Sequence, residues 1–377
     1  MNNRKTPHPL LWLTVIFITL FSLLGYTTAL ASKYPELSAR AAALYQPDTG
    51  EFLYRKSSRL RLPMASTTKL MTALVVNSLA SPTDTVTVTA ESVGIEGSSA
   101  YLREGELLSV EELLYALLLQ SANDAATALA IHISGSVEAF AALMNEEAER
   151  LSLSDTHFTN PHGLDDPDHY TTAEDLSFIA ARVLRVPYLK NIVSTYKKTF
   201  SDGNTRRTYI NHNKLLLRYD GAVGMKTGYT KKCGRCLVGA AERDGLTFIT
   251  VTLDAPSDWS DHARLFDYGF ETLERVTLCD ALEFAYDIPV VSGESQLVRL
   301  KNTEGLSVIL PKGEHRIEST VSIHRYAVAP ISKGTALGQV SFTVDGKVVG
   351  SVSLVTEESI PEIRKKSFLD SILDKIF

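Results

Sequence analysis

The stretch Ser66-Thr67-Thr68-Lys69-Leu70-Met71-Thr72-Ala73-Leu74-Val75-Val76 follows Pro63 and is apolar on nearly every side beyond its first turn. A helix with that pattern is wrapped by other elements instead of lying half in water, so it belongs near the centre of the fold. Upstream, small apolar residues over 39–45, the turn Asp48-Thr49-Gly50 and a return over 52–55 predict a hairpin. Downstream, helical patterning over 113–119, 125–133, 137–151 and 173–184 gives way to strand patterning over 223–229, 236–241 and 246–253. The last two strands are joined by a turn containing Asp244-Gly245. Strands on both sides of a helical insert predict an α+β fold, with one antiparallel sheet assembled from distant segments and flanked by helices.

The ends of the chain read differently from its middle. Arg4 and Lys5 precede an uncharged apolar run over 10–24 and then Ala29-Leu30-Ala31, the layout of a secretory leader cleaved after Ala31. Export out of the cytoplasm is therefore expected. Beyond about residue 280, short alternating segments at 297–300, 307–310, 319–323, 339–344 and 348–355 with glycine between them predict a small all-β domain. After Pro361, Ile363, Phe368, Leu369, Ile372, Leu373, Ile376 and Phe377 share one helical face, with Arg364, Lys365 and Lys366 near its start. Such an amphipathic helix suits the outer face of the cytoplasmic membrane. The expected organisation is a leader over 1–31, a first domain over 32–275 with its helical insert at about 75–220, a β-rich domain over 276–360 and the helix over 361–377.

Composition narrows the function classes. With 377 residues, 44% hydrophobic and 22% charged, the chain is an ordinary globular protein of two-domain length. A net charge of -6 spread along the sequence has no dense basic stripe to neutralise phosphates, so nucleic acid is not an expected partner. Nine histidines show no H-E-x-x-H or similar ligand spacing, and neither a metal nor another cofactor is expected. Three cysteines exclude a disulfide framework. Cys233-Gly234-Arg235-Cys236 has C-x-x-C spacing, but its strand-like surroundings favour small half-buried residues over a redox or disulfide role.

Ser66 and Lys69 carry the chemistry. Ser66 opens the buried helix, where free backbone N–H groups and the positive dipole end face its hydroxyl. One turn puts Lys69 on the same face. Lys69 has Ala65 and Ala73 four residues either side and sits in an apolar run, so desolvation without a neighbouring carboxylate lowers its pKa toward that of a usable base. A second S-x-x-K at Ser194 and Lys197 has no such setting. Ser121-Ala122-Asn123 interrupts the apolar helix ending at Leu119, and Lys226-Thr227-Gly228 lies on the first strand after the insert. Each tripeptide is weak alone, and the three in this order at element boundaries are a strong signal.

Together with Leu62-Pro63-Met64-Ala65-Ser66, Phe158-Thr159-Asn160-Pro161-His162-Gly163-Leu164 and His169-Tyr170-Thr171-Thr172-Ala173, these motifs give a chain that resembles the D-alanyl-D-alanine carboxypeptidases, the low-molecular-mass penicillin-binding proteins, over nearly its whole length. The resemblance implies a β-lactamase/transpeptidase-like fold and an exported enzyme acting on peptidoglycan pentapeptides, with β-lactam antibiotics as covalent inhibitors. It implies Ser66 as nucleophile, Lys69 as its base and Ser121 as a proton relay. It further implies that Asn123 holds the substrate backbone from a turn, that Lys226 and Thr227 receive the terminal carboxylate, and that Gly228 lets the substrate backbone approach. The N–H groups of Ser66 and Tyr229 would form the oxyanion hole. Some relatives carry His after the K-T-G and a downstream Arg for the carboxylate. Here Tyr229 and Asp254-Ala255-Pro256 stand instead, while His212 and Asn213 read as structural.

Three rival readings differ in what they require. A class A β-lactamase needs a Glu in an E-x-x-L-N loop, and 156–160 reads Thr-His-Phe-Thr-Asn. A non-catalytic wall-binding module has no need of a desolvated lysine beside a serine. An endopeptidase or transpeptidase shares the motifs and differs in the product released from the wall.

Overall fold

Residues 41–46 are buried on both faces and form the inner strand of the hairpin, β1 (Ala41–Gln46), with β2 (Glu51–Lys56) as its outer partner. The computed structural model describes residues 34–201 and 206–363. The leader expected over 1–31 and the helix expected over 361–377, apart from its first three residues, lie outside the described residues.

The chain leaves β2 for the helical insert: α1 (Lys69–Leu79), the ribbon of β3 (Thr85–Thr87) and β4 (Leu107–Ser109), then α2 (Val110–Leu118), α3 (Asn123–Ser134), α4 (Val137–Arg150), α5 (Ala173–Leu184) and α6 (Pro187–Ser194). A second ribbon of β5 (Lys197–Ser201) and β6 (Arg206–Ile210) and a single turn, α7 (Leu215–Arg218), complete it. These two ribbons are strands that the helical pattern alone did not reveal. Side-chain caps start three of the helices: Ser109, Ser136 and Thr172 accept from the N–H of Glu112, Ala139 and Asp175.

The sheet resumes with β7 (Ala222–Thr230), β8 (Gly234–Arg243) and β9 (Leu246–Leu253), turning between the last two through Asp244 and Gly245, both at positive φ. Its order is β2-β1-β9-β8-β7, antiparallel throughout, so β1 lies against β9 with Ala41 opposite Leu253. Residues of β1 alternate between two cores. Ala41, Ala43 and Tyr45 join Leu70, Met71, Leu113 and Leu129 on the insert side, whereas Ala42 and Leu44 meet Leu237, Phe248, Leu265 and Phe266 beneath α8 (Asp258–Thr272). The sequence reading missed α8, which covers the second face.

Eight further strands follow: β10 (Leu273–Cys279), β11 (Ala285–Val291), β12 (Leu297–Asn302), β13 (Leu306–Pro311), β14 (Ile317–Ile323), β15 (Ala327–Val328), β16 (Ala336–Val344) and β17 (Lys347–Thr356). They form a six-stranded sheet, β14-β16-β17-β12-β11-β15, and the ribbon β10-β13, around a core of Ile288, Val298, Leu300, Val340, Phe342 and Leu354. The α+β fold with a C-terminal all-β region is the one expected.

Candidate active site

Ser66 stands on a 3-10 turn, Ala65–Thr68, that runs directly into α1. The α-helical first turn expected there is replaced by this tighter one. Thr67 Oγ1 donates to Met64 O and Thr68 Oγ1 to Ala65 O, both at 2.7 Å, and these side-chain bonds hold the backbone in short i to i+3 steps. In a 3-10 turn residues i and i+3 eclipse, which stacks Lys69 over Ser66 with Nζ 3.0 Å from Oγ.

Lys69 is fully buried. Its Nζ has two other partners, Asn123 Oδ1 at 2.7 Å and the His162 carbonyl at 2.5 Å. Burial pushes its pKa well below that of an ordinary lysine, the positive charge of Lys226 pushes the same way, and Asp124 opposes them. In the neutral amine two hydrogens and one lone pair remain. Both carbonyl oxygens accept only, because the Asn123 amide is oriented by Nδ2 donating to Glu96 O. The two hydrogens therefore go to Asn123 and His162, and the lone pair is left for the Ser66 hydroxyl, the one partner with a proton to give.

Supporting groups fix this cluster. Thr159 N donates to His169 Nδ1, so His169 Nε2 carries the proton and donates to Thr68 Oγ1 across 2.8 Å. Burial lowers the His169 pKa to about 4 and keeps the ring neutral. Asn160 Oδ1 accepts from Gly163 N at 2.7 Å and shapes the loop that presents the His162 carbonyl. Asp124 accepts from Ser99 Oγ, Ala100 N and Leu102 N, tying the 98–102 segment to the start of α3.

Gly163, at φ +88°, lies so close to this turn that an added methyl would overlap the Ala65 carbonyl oxygen and sit 2.8 Å from Thr68 Oγ1. Gly163→Ala is expected to cost about 2–4 kcal/mol, from the left-handed φ and the backbone clash together. The midpoint of urea unfolding reads that loss, and activity measured where the variant is still folded should also fall, because the loop carrying the His162 carbonyl must move away from Lys69.

The other two motifs meet Ser66 from opposite sides. Ser121 is non-helical with φ +63°, and Asn123 is the first residue of α3, so the expected turn covers Ser121 and Ala122 while Asn123 projects from a helix start. Backbone strain recurs at all three motifs: Ala65 (φ +46°), Ser121 and Met225 (φ +87°) are left-handed non-glycine residues beside or within them. Gly228 on β7 is where a Cβ would stand 3.0 Å from Met64 O and 3.1 Å from Ser66 N. Its lack of a side chain lets the strand itself close on the Ser66 turn, beyond the substrate approach expected of it.

A cavity of about 330 Å³ is lined by Ser66, Ser121, Thr227, Gly228 and Tyr229 from the motifs, with Ser98, His212, Lys214, Arg235, Asp258 and Trp259. Lys226 is not among the lining residues: it is buried, with Nζ donating to Thr227 O and its pKa lowered to about 7 by desolvation. The half-buried cation that reaches the cavity wall is Arg235, paired with the buried Asp258 at 2.9 Å and lying over Trp259 at 5.7 Å. Sequence reasoning passed over Arg235, although counting back across the β7–β8 turn from Thr230 opposite Gly234 puts Arg235 opposite Tyr229. His212, read as structural, also lines the cavity, whereas the buried Asn213 holds Gly224 O at 2.6 Å as a structural residue does. Ser194 donates to Asn191 O on an exposed helix end, far from such surroundings. Among the described residues no group of three or more His, Cys, Asp or Glu is placed to hold a metal ion.

Comparison with known proteins bears on the family of the whole chain. The family profile described as D-alanyl-D-alanine carboxypeptidase matches residues 28–257, and that of the penicillin-binding protein 5 C-terminal domain matches 275–362. The chain is 30% identical over 342 residues to the D-alanyl-D-alanine carboxypeptidase DacF of Bacillus subtilis, covering 88% of this chain and 87% of the relative. It is 31% identical over 368 residues to DacA of Escherichia coli K12, covering 91% and 88%. Among solved structures, penicillin-binding protein 5 of Haemophilus influenzae superposes with a TM-score of 0.64 at 30% identity, covering 87% of this chain and 99% of that one. The Streptomyces K15 DD-transpeptidase gives 0.60 at 34% identity over 63% of this chain and 98% of its own. With both profiles matched and relatives aligned over most of their length, the chain belongs to the D-alanyl-D-alanine carboxypeptidase family of serine hydrolases.

Proposed function

We propose that Ser66 attacks the carbonyl of the penultimate D-Ala in a peptidoglycan stem peptide ending in D-Ala-D-Ala, forming an acyl-enzyme and releasing the terminal D-Ala. The observation that carries this reading is the fully buried Lys69 amine, 3.0 Å from the Ser66 hydroxyl oxygen and held from two other directions by the Asn123 and His162 carbonyl oxygens. Lys69 takes the hydroxyl proton as the bond to carbon forms. The oxyanion lies against the N–H groups of Ser66 and Tyr229, at the junction that Gly228 keeps tight. Ser121, at the cavity wall, relays the proton: it gives its own to the leaving amine and receives the one Lys69 took from Ser66. Asn123, besides holding Lys69, orients the substrate backbone. Water then cleaves the acyl-enzyme, and β-lactams acylate the same Ser66.

The terminal carboxylate meets the Thr227 hydroxyl and the Arg235 guanidinium, with the charge of the neighbouring buried Lys226 adding to the attraction. Lys226 thus acts on both the substrate and Lys69 through its field. The leader over 1–31 and the amphipathic segment over 361–377 support export to the cell envelope and contact with the outer face of the cytoplasmic membrane.

Incubation of the purified chain with a peptide ending in D-Ala-D-Ala should release free D-Ala, and acid quenching should trap an acyl group that peptide mapping places on the segment containing Ser66. An acyl group on any other residue would reject the mechanism. Transfer to an amine acceptor in place of D-Ala release into water would move the chain to the transpeptidases.

A further inference from the structure

Cys233 and Cys236 take no part in the mechanism above, yet they lie against it. Their sulfurs are 4.0 Å apart, and Cys236 Sγ faces the Pro63 carbonyl at 3.8 Å, three residues before Ser66. Cys236 stands opposite Gly228 in the β7–β8 register, and between the two cysteines is Arg235, which lines the cavity together with Lys214. A disulfide brings its sulfurs to about 2.05 Å, so closure asks for an approach of roughly 2 Å. The two ends differ in freedom. Both thiols are buried, but Cys236 lies in β8, which is paired on both sides, whereas Cys233, 4% exposed, belongs to the turn that follows β7 and is followed by Gly234 at φ +68°, so it is this turn that must open for an external disulfide to reach it.

We propose that Cys233 and Cys236 form a reversible dithiol–disulfide pair, closed by exchange with a small-molecule disulfide outside the cytoplasm, and that closure resets Arg235 at the cavity. The bearing on the cavity rests on the function proposed above. Cys233 thiolate attacks one sulfur of the external disulfide and expels one thiol, leaving a mixed disulfide. Cys236 then loses its proton, attacks Cys233 Sγ and expels the second thiol. Two protein thiols are oxidised and one external disulfide is reduced to two thiols. The Cys236 thiol beside it lowers the Cys233 pKa, while the same contact and burial raise that of Cys236, which suits Cys233 to attack first and Cys236 to resolve. Movement of the turn toward Cys236 shifts the backbone of Gly234 and Arg235 and loosens the hold of Asp258 and Trp259 on the guanidinium.

The full chain equilibrated with oxidised and then reduced dithiothreitol, alkylated in denaturant and mapped by mass, tests the pair. The expected result is a reversible 233–236 link with Cys279 alkylated throughout, and no link in Cys233→Ser or Cys236→Ser. Oxidation should raise KM for a D-Ala-D-Ala peptide about 3- to 10-fold with kcat nearly unchanged, as expected for a weakened charge contact made in ground and transition states alike. Cys233→Ser should show no such shift, nor should Arg235→Gln, in which the link still forms. Alkylation of all three cysteines after oxidation would overturn the pair, and a link that leaves KM unmoved would overturn its bearing on Arg235. Mapping needs no substrate. If the reduced chain released no D-Ala, the hydrolytic reading would fail alone, and equilibrium binding of the same peptide would report the shift.

Discussion

Replacing Ser66 by alanine is expected to lower D-Ala release by at least about 10⁴-fold, the scale on which removal of a covalent nucleophile is felt elsewhere. Among the described partners of the Lys69 amine, Ser66 is the one that carries a hydroxyl, the other two being carbonyl oxygens. Ser121 reaches the same cavity from a left-handed turn and serves a different step. The variant should retain its fold, because the Ser66 hydroxyl meets only Lys69 among the side chains described here and the turn is held by Thr67 and Thr68. Substrate should still bind, so equilibrium binding of a D-Ala-D-Ala peptide by Ser66→Ala, set beside its rate of D-Ala release, separates the two. Equal release by both proteins would remove Ser66 from the reaction.

Lys69→Met should reduce the acylation rate about 10³- to 10⁴-fold, since the methionine fills the same space and offers no base. Two opposing terms act on stability. The variant leaves the Asn123 and His162 oxygens short of a donor, at about 1–3 kcal/mol each, but it also relieves the cost of a lysine that must give up its proton to fold. That cost follows from the depressed pKa. Between the folded and unfolded values of Lys69, folding releases a proton, and each pH unit below the unfolded value removes about 1.4 kcal/mol until the folded value is reached. Sign and rate are linked in the parent protein: acylation should fall as pH drops and Lys69 regains its proton, whereas the residual rate of the variant lacks that acid limb. Stopped-flow acylation with a chromogenic β-lactam across pH, with thermal unfolding alongside, measures both quantities. An unchanged acid limb in Lys69→Met would assign the titration to another group.

What the sequence disclosed depended on how far apart the interacting residues lie. Ser66 and Lys69 were legible because three residues are one turn in either an α or a 3-10 helix, so mistaking one for the other left the pairing intact. Buried strands were legible from their apolar runs, and α5 from its period with Thr172 at its start. The role of the His162 carbonyl was not, because a backbone oxygen has no residue signature and is placed by Asn160 and Gly163 through loop contacts. Arg235 was masked by the two cysteines around it, and only strand register brings it to the cavity. The helix α8 was obscured by the polar residues Asp258, Ser260, Asp261 and His262 in its first turns, three of which are buried partners: Asp258 for Arg235, Asp261 for the backbone of Ser38 and Ala39, and His262 for the Thr250 and Thr252 hydroxyls.

The pairing of β1 with β9 also governs when the enzyme comes into being. Two strands separated by some two hundred positions must find one another, and loop closure over so long a span is a step that slows folding. In chain order the nucleophile turn follows soon after β2, while the K-T-G strand and the central neighbour of β1 come last. Until β9 pairs with β1 and β7 closes on the Ser66 turn, Lys69 lacks both its dry enclosure and the repulsion of Lys226, and it stays an ordinary protonated amine. The catalytic base is therefore made only when the sheet zips shut.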